Sequence, residues 1–263
     1  MSQQAHETSR LLRQNMEQVV LGKPDVVRLI VVSLLAGEHV LLEDVPGVGK
    51  TLAAKALAQS IDGRFNRLQF TPDLLPSDIT GSTIYRSDTE DFHFTEGPVF
   101  ANVVLADEIN RAPPRTQAAL LEAMSESQVS IDGTTHQLPQ PFIVVATQNP
   151  FEFEGTYSLP ESQMDRFLLR TSIGYPDREN ERQVLTSHRA GEPVDSLKSV
   201  VSIDDVQQAQ SAVRNVKFEE SLADYLLNIV EMTRQHDGFR MGVSTRAALS
   251  FYRACQALSL IHI

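Results

Sequence analysis

The sequence predicts an α/β fold: a doubly wound parallel sheet followed by a smaller all-helical domain. Over the first 174 residues, short apolar runs typical of buried strands alternate with segments of helical periodicity. A glycine-rich turn joins the first of these strands to a helix. After Gly174-Tyr175-Pro176, which interrupts the chain, only helical patterns follow. We therefore expect an α/β core over residues 1–174 and a helical domain over residues 175–263.

The elements of the core are expected in a regular order. Two helices, over about residues 8–20 and from Pro24 to about Ala36, precede the first strand. Two hairpins are expected, one around residues 82–95 and one over 128–138, where Asp132-Gly133 is a strong turn signal. The buried strands are expected at 40–42, 65–70, 103–106, 142–146 and 168–173, and further helices at 52–61, 116–125, 161–167, 178–189, 203–213, 219–235 and 245–258.

Composition narrows the class of protein. The chain of 263 residues carries a formal net charge of −11, which disfavours non-specific binding to nucleic acid. Its one cysteine, Cys255, excludes an internal disulfide framework and indicates a reducing compartment. The N-terminus is polar and resembles no signal peptide, and the longest apolar run, residues 29–36, is far shorter than the roughly 20 residues of a membrane span. We expect a cytoplasmic protein without a membrane span.

A glycine-rich loop, from Asp44 to Thr51, lies between the first buried strand and a run of good helix formers. Its glycines allow backbone N–H groups to point at phosphate oxygens, and the helix adds the positive end of its dipole. We expect Lys50 to contact the β- and γ-phosphates of a nucleotide and Thr51 to hold Mg²⁺. The strict pattern has glycine at position 44, where this chain has aspartate, a residue that tolerates left-handed backbone. The expected nucleotide-binding residues of this loop are Pro46, Gly47, Val48, Gly49, Lys50, Thr51 and Leu52.

Polar residues follow two further strands. Asp107 and Glu108 end one strand, and Asn149 ends the next. Because ligands bind outside the carboxyl ends of parallel strands, we expect these side chains at the same crevice as the loop. Asp107 would hold Mg²⁺, Glu108 would act as general base toward the attacking water, and Asn149 would orient that water. The plainer alternatives are a solvated strand end and an asparagine that caps the turn before Pro150.

Two arginines are candidates for contact with the γ-phosphate. Arg166 follows Asp165 at the end of a short helix, where a side chain can stabilise transition-state charge on a neighbouring subunit. Its alternative is a surface ion pair with Asp165 or Glu161. Arg246 lies near the start of a helix in the second domain and would reach the γ-phosphate when that domain closes. Its alternative is an ordinary residue of a solvated helix surface.

Taken together, these blocks resemble the AAA+ ATPases, and within them the MoxR family. The resemblance extends from about residue 19 to about residue 253. It includes the loop from Asp44 to Thr51, the sequence L-A-D-E-I-N-R-A at 105–112 and P-E-S-Q-M-D-R-F at 160–167. Further matching blocks lie at 70–81, 96–102, 118–126, 146–150 and 243–249.

The resemblance implies a role for each candidate residue and a setting for the whole chain. The core would be an AAA+ P-loop core and the helical domain its lid, incomplete at residue 263. The segments at about 82–95 and 128–138 would be the inserts that mark the clade of magnesium chelatase subunits and replicative helicases. The implied cofactors are ATP and Mg²⁺. The implied partners are copies of the same chain in a homo-oligomeric, hexameric ring, and a client protein that often has a von Willebrand factor A domain or a metal cofactor. The implied roles are Walker A for Lys50 and Thr51, Walker B for Asp107 and Glu108, sensor 1 for Asn149, arginine finger for Arg166, sensor 2 for Arg246, and adenine-pocket lining for Val20, Leu21 and Gly22.

Four functions remain open at this point. The first is an ATP-hydrolysing, chaperone-like motor that matures partner proteins. The second is a nucleotide-dependent binding switch with poor turnover, because the lid is expected to be incomplete. The third is a motor like the magnesium chelatases or helicases, against which the net charge of −11 argues in the case of DNA. The fourth, a P-loop metabolite kinase, leaves the positions of Asn149, Arg166 and Arg246 without a reason.

Overall fold

The computed structural model describes residues 2–88, 90–150, 155–187 and 191–262. Within these residues, five parallel strands form a central sheet in the order β2-β5-β8-β1-β9. Two antiparallel hairpins, β3-β4 and β6-β7, stand apart from this sheet. In chain order the strands are β1 His39–Glu43, β2 Phe65–Gln69, β3 Gly81–Arg86, β4 Asp91–Glu96, β5 Val103–Asp107, β6 Gln128–Ile131, β7 Thr134–Gln137, β8 Ile143–Gln148 and β9 Phe167–Thr171.

Helices connect these strands and follow them. Short 3₁₀ turns are present at Ile109–Arg111 and Pro193–Ser196. The helices are α1 Ser2–Glu17, α2 Pro24–Ala36, α3 Lys50–Ser60, α4 Pro76–Thr80, α5 Pro114–Glu126, α6 Glu161–Met164, α7 Arg178–Ser187, α8 Ile203–Arg214, α9 Glu220–Gln235 and α10 Thr245–His262.

The sheet is buried on both faces, as the fold class predicts. Successive side chains of β1 point to opposite faces, so Val40 and Leu42 join one hydrophobic cluster and Leu41 joins the other. The first cluster contains residues of α1, α2 and α3 and the second contains residues of α5. The predicted doubly wound parallel sheet is therefore confirmed.

The helices α8 and α10 pack against α1 and α2. Val206 of α8 and Leu260 of α10 belong to the same hydrophobic cluster as Val27 of α2. Gln210 Nε2 donates to the carbonyl oxygen of Leu34 at 2.7 Å. These contacts bring part of the C-terminal helical region onto the core, and the domain boundary at residue 174 stays a prediction.

Several expected boundaries were wrong by a few residues. The first helix begins at Ser2 and ends at Glu17, instead of covering residues 8–20. The turn-rich segment after β2 contains the short helix α4, because the Asp78 carboxylate accepts the Leu75 N–H at 2.9 Å before Pro76. The helix expected over 161–167 ends at Met164, since Phe167 already pairs with β1. The end of the helix expected over 178–189 lies outside the described residues.

Both predicted hairpins are present. At the tip of β6-β7, Asp132 and Gly133 have φ values of 50° and 78°, as a type I′ turn requires. Phe94 of β4 stacks on His136 of β7 with ring centroids 4.0 Å apart, so the two hairpins contact each other. No helix among the described residues is long and apolar enough to cross a membrane.

Candidate functional site

A cleft of about 490 Å³ lies at the carboxyl ends of β1, β5 and β8. Its volume is in the range of small-molecule binding sites. The predicted loop, the acidic pair and Asn149 meet there, although Asp107 and Asn149 are far apart in the chain. The lining residues are Pro46, Gly47, Gly49, Lys50, Thr51, Leu52, Lys55, Asp107, Glu108, Asn149, Glu192 and Val194.

The loop between β1 and α3 depends on its glycines for conformation. Gly47 and Gly49 have φ values of 84° and 97°, which residues with a side chain rarely adopt. A Cβ at either position would meet no atom within 4 Å, so backbone conformation and not space favours glycine here. Gly49 caps the 11-residue helix α3, which presents its N-terminus to the cleft and attracts anions.

Lys50 lines the cleft at the first position of α3. Its Nζ donates to the carbonyl oxygen of Asp44 and, at 3.4 Å, to that of Gln148. Burial lowers the pKa of Lys50, and the negative charges of Asp44, Asp107 and Glu108 oppose this shift. An ammonium group that is held by carbonyl dipoles beside carboxylates is well placed to bind the phosphates of a ligand.

Asp44 is explained by its contacts and not by the left-handed backbone that the sequence suggested. The described non-glycine residues with positive φ are Glu90, Glu108, Ser127 and Asp132. Instead, the Asp44 carboxylate accepts two backbone N–H groups: Val45 donates to Oδ1 at 2.8 Å and Gly174 donates to Oδ2 at 2.6 Å. The aspartate therefore connects the loop to the segment that follows β9.

Asp107 is nearly buried and both of its carboxylate oxygens accept hydrogen bonds. Thr147 Oγ1 donates to Oδ1 at 2.6 Å, and Arg67 Nη2 pairs with Oδ2 at 2.7 Å. Thr51 lines the same cleft and offers a hydroxyl oxygen. Mg²⁺ is bound in proteins by one or two carboxylates with phosphate and water oxygens, so this donor set fits the ion. The guanidinium of Arg67 is then the group that a cation at Oδ2 has to displace or share.

Glu108 has a strained backbone and a carboxylate that is already bonded. Its φ of 56° is rare for a residue other than glycine, and such strain clusters at functional sites. Its N–H donates to Thr147 Oγ1 at 2.9 Å. Its Oε2 accepts from Gln69 Nε2 at 3.0 Å and forms an ion pair with Arg111 Nε at 3.0 Å. A water molecule that donates a proton to this carboxylate competes with both groups.

Arg166 and Arg246 bond to the same side chain, that of Ser125. Neither arginine is among the described residues that line the cleft. Arg166 Nη1 donates to the Leu121 carbonyl and to Ser125 Oγ, near the C-terminus of α5. Arg246 Nη1 donates to the same Ser125 Oγ at 3.4 Å. Burial, and then the charge of Arg246, lower the pKa of Arg166.

These contacts bear on the plainer alternative for Arg166. Arg166 contacts α5, and Glu161, one of its two alternative partners in a surface ion pair, is 3.5 Å from Arg240 instead. Arg246 shares Ser125 with Arg166, and its contact with the γ-phosphate on closure of the second domain stays a prediction.

Four residues expected to contact adenine or phosphate lie outside the described lining of the cleft. Val20, Leu21 and Gly22 form the turn between α1 and α2, and Val20 is buried in the core. Neither this turn nor Val48, which is also part of the core, is among the described residues that line the cleft. Their predicted contact with adenine or phosphate is untested by this geometry.

The sequence did not single out Lys55, Glu192 or Val194, which also line the cleft. Lys55 lies four residues after Thr51, so helical spacing was a signal for it. Glu192 and Val194 come from a segment beyond α7, and no local pattern identifies them.

The strand order and the loop after β1 define the class of protein as an α/β P-loop fold. Residues 39–169 match the family described as "ATPase family associated with various cellular activities (AAA)". The chain is 49% identical over 249 residues to YeaC of Bacillus subtilis, described as uncharacterized, and the match covers 95% of this chain and 78% of YeaC.

Two further comparisons specify the family. The chain is 44% identical over 254 residues to Chaperone MoxR1 of Mycobacterium tuberculosis, and the match covers 93% of this chain and 67% of MoxR1. A crystal structure of a candidate ATPase from Cytophaga hutchinsonii superposes with a TM-score of 0.90 at 38% identity, over 99% of this chain and 82% of that one. The chain belongs to the MoxR family of AAA+ ATPases.

Proposed function

We propose that this chain binds Mg-ATP in the cleft at the N-terminus of α3 and hydrolyses it to drive the maturation or assembly of a partner protein. The observation that carries the proposal is the convergence of Lys50, Thr51, Asp107, Glu108 and Asn149, from three strand ends, on one cleft. The similarity to a protein named Chaperone MoxR1 supports the chaperone-like role.

The residues divide the chemistry among them. Lys50 and the loop N–H groups bind the β- and γ-phosphates, and Thr51 and Asp107 hold Mg²⁺. The bound ion supplies neutralisation of phosphate charge. Asn149 orients a water molecule, and Glu108 accepts its proton once the carboxylate leaves Gln69 and Arg111.

Arg166 and Arg246 contribute to the nucleotide site of an adjacent subunit. Their shared position at Ser125, away from the cleft of their own chain, supports a role for both Arg166 and Arg246 on the nucleotide of an adjacent subunit. This arrangement requires a homo-oligomer, which we propose to be a hexameric ring. The proposed client is a protein with a von Willebrand factor A domain or a metal cofactor.

A second candidate is a nucleotide-dependent binding switch with slow turnover. The observation in its favour is the carboxylate of Glu108, which Gln69 and Arg111 hold through the same oxygen. A chain that stays in this arrangement binds Mg-ATP without activating water.

Phosphate release by the purified protein tests the two candidates. The motor hydrolyses ATP in the presence of Mg²⁺ and stops when the ion is chelated, and Asp107→Asn hydrolyses ATP much more slowly. The switch binds Mg-ATP in calorimetry but releases phosphate at no more than the rate of Asp107→Asn. Failure of the wild-type protein to bind ATP contradicts both candidates.

A further inference from the structure

Asp44 links two parts of the molecule that are distant in sequence. Its Oδ2 accepts the Gly174 N–H at 2.6 Å, across 130 residues of chain. Gly174 has a φ of 67°, a conformation that favours glycine, and it follows β9. We call residues 174–177 the linker segment, because they lie between β9 and α7.

The main chain of Asp44 contacts the residue expected to bind phosphate. Lys50 Nζ donates to the Asp44 carbonyl oxygen, and the Asp44 N–H donates to the Gln148 carbonyl oxygen at 3.2 Å. One residue thus bonds to Lys50 through its carbonyl and to the linker segment through its carboxylate. A change in the hydrogen bonding of Lys50 therefore acts on the peptide group that positions this carboxylate.

The linker segment is also tied to the turn between α1 and α2. Lys23 Nζ donates to the Tyr175 carbonyl oxygen at 2.8 Å. Asn180, whose side chain donates to the Asp177 carboxylate at 2.8 Å, packs so closely on Gly22 that a Cβ there would lie 2.4 Å from its amide nitrogen. The linker segment is therefore held from two sides, and Asp44 is the contact that comes from the loop.

We propose that Asp44 is a positioning residue that couples the glycine loop to the linker segment. When nucleotide phosphate draws Lys50 Nζ away from the Asp44 carbonyl, the Asp44 peptide relaxes and its carboxylate alters the hold on the Gly174 N–H. The position of the linker segment, and of α7 behind it, then depends on whether a nucleotide is bound. This inference rests on the proposed function, because it requires Lys50 to bind phosphate.

A simpler role for Asp44 is electrostatic support of the Lys50 ammonium, and two substitutions separate the roles. Asp44→Asn removes the charge and the acceptor for the Val45 N–H, but it keeps a side-chain oxygen that can accept the Gly174 N–H. Asp44→Gly restores the strict loop pattern and removes both the charge and the acceptor. Coupling through the hydrogen bond predicts that Asn behaves like the wild type, whereas support through charge predicts that Asn behaves like Gly.

Hydrogen exchange of peptides covering the linker segment, with and without a Mg²⁺-bound non-hydrolysable ATP analogue, measures the coupling. We expect nucleotide to change exchange there in the wild type and in Asp44→Asn, but not in Asp44→Gly. Without nucleotide, Asp44→Gly should exchange faster at Gly174, by about tenfold, as for the loss of one hydrogen bond to a charged group. We also expect turnover to fall about tenfold in Asp44→Gly, while the dissociation constant for nucleotide changes by less than about threefold.

Lys23→Met is the matched control, because it breaks a bond to the same segment from the other side. It should speed exchange of the linker segment with and without nucleotide and preserve the difference between the two states. Asp44→Ala replaces Asp44→Gly if the glycine variant does not fold. The proposal is overturned if Asp44→Gly keeps the nucleotide-induced change, if Asp44→Asn loses it, or if the wild type shows none. In all of these cases ATP hydrolysis by the wild type still reports independently on the proposed function.

Discussion

At the scale of single residues, Lys50 has the most direct test. Its Nζ donates to the carbonyl oxygens of Asp44 and Gln148, and the charges of Asp44, Asp107 and Glu108 act on it. We expect Lys50→Ala to weaken ATP binding on the order of 100-fold, because charge-assisted bonds to phosphate are lost. Isothermal titration calorimetry with ATP measures the change.

Lys55→Ala is the matched control for this substitution. Lys55 lies on the same helix and lines the same cleft, but it follows the loop by one helical turn. Its loss should change ATP affinity by only a few-fold. Equal effects of the two substitutions, or unchanged affinity in Lys50→Ala, would show that the loop is not the phosphate site.

Glu108→Gln should separate binding from turnover. The amide cannot accept a proton from water, and the loss of a general base costs about 10²–10⁴-fold in rate. Mg-ATP should still bind, because the loop, Thr51 and Asp107 are unchanged. Single-turnover phosphate release and calorimetry measure the two quantities.

Glu192→Gln serves as the control at another carboxylate of the same cleft. It should keep a rate within a few-fold of the wild type. A near-normal rate in Glu108→Gln would assign Glu108 a structural role through Gln69 and Arg111.

At the scale of elements, His39 at the start of β1 connects the sheet to α5. Its Nδ1 accepts the Val144 N–H at 3.0 Å, so Nε2 carries the proton and donates to the Met124 carbonyl at 3.0 Å. Both ring nitrogens are thus satisfied only in the neutral form. Burial lowers the pKa of His39 to about 4.

This histidine makes the stability of the protein depend on pH. Between pH 6.5 and about 4 the unfolded chain binds a proton at position 39 that the folded chain does not bind. The free energy of unfolding should therefore decrease as the pH is lowered from 6.5 to about 4, and His39 should account for about 3 kcal/mol of this decrease. Urea unfolding at several pH values measures the loss.

Substitution identifies the histidine that is responsible. His39→Gln should be less stable at pH 7 and should lose much less stability on acidification. His136→Gln is the control, since His136 is only partly buried and stacks on Phe94. It should keep the pH dependence of the wild type. An unchanged pH dependence in His39→Gln would contradict the assignment.

Elements whose cause is local were predictable from the sequence. The strand β1, with Val40, Leu41 and Leu42 buried, follows from its apolar run, and the β6-β7 turn follows from Asp132-Gly133. The end of α6 was not predictable, because it depends on the pairing of Phe167 with β1, a strand far away in sequence.

Some features of the candidate site were likewise predictable from local sequence, and others were not. The loop glycines, Lys50 and the acidic pair carry their chemistry in adjacent residues, so the sequence located them. The contacts of Asp44 with Gly174, and of Arg166 and Arg246 with Ser125, join residues 41 to 130 positions apart. Such contacts depend on how the finished elements pack, and no periodicity in the chain reports them.

At the scale of the whole molecule, the position of Arg166 favours action between subunits. The guanidinium lies against the end of α5, and the described lining of the candidate nucleotide cleft in the same chain does not include it. A cation that meets the γ-phosphate of a neighbouring subunit accelerates hydrolysis by about 10³–10⁵-fold. We expect Arg166→Ala to bind ATP normally and to lose most of its ATPase activity as a homo-oligomer, measured by calorimetry and phosphate release.

Mixing two inactive variants tests whether the arginine acts on another subunit. Lys50→Ala subunits lack the phosphate-binding ammonium but keep Arg166, and Arg166→Ala subunits have the opposite defect. In a mixed ring some intact glycine loops face an intact Arg166, so the mixture should recover activity that neither variant has alone. Arg240→Ala, which removes an exposed arginine that pairs with Glu161, should stay active without mixing. Because complementation requires contact between subunits, a monomeric protein, or a mixture no more active than its two components, would assign Arg166 a role within its own chain.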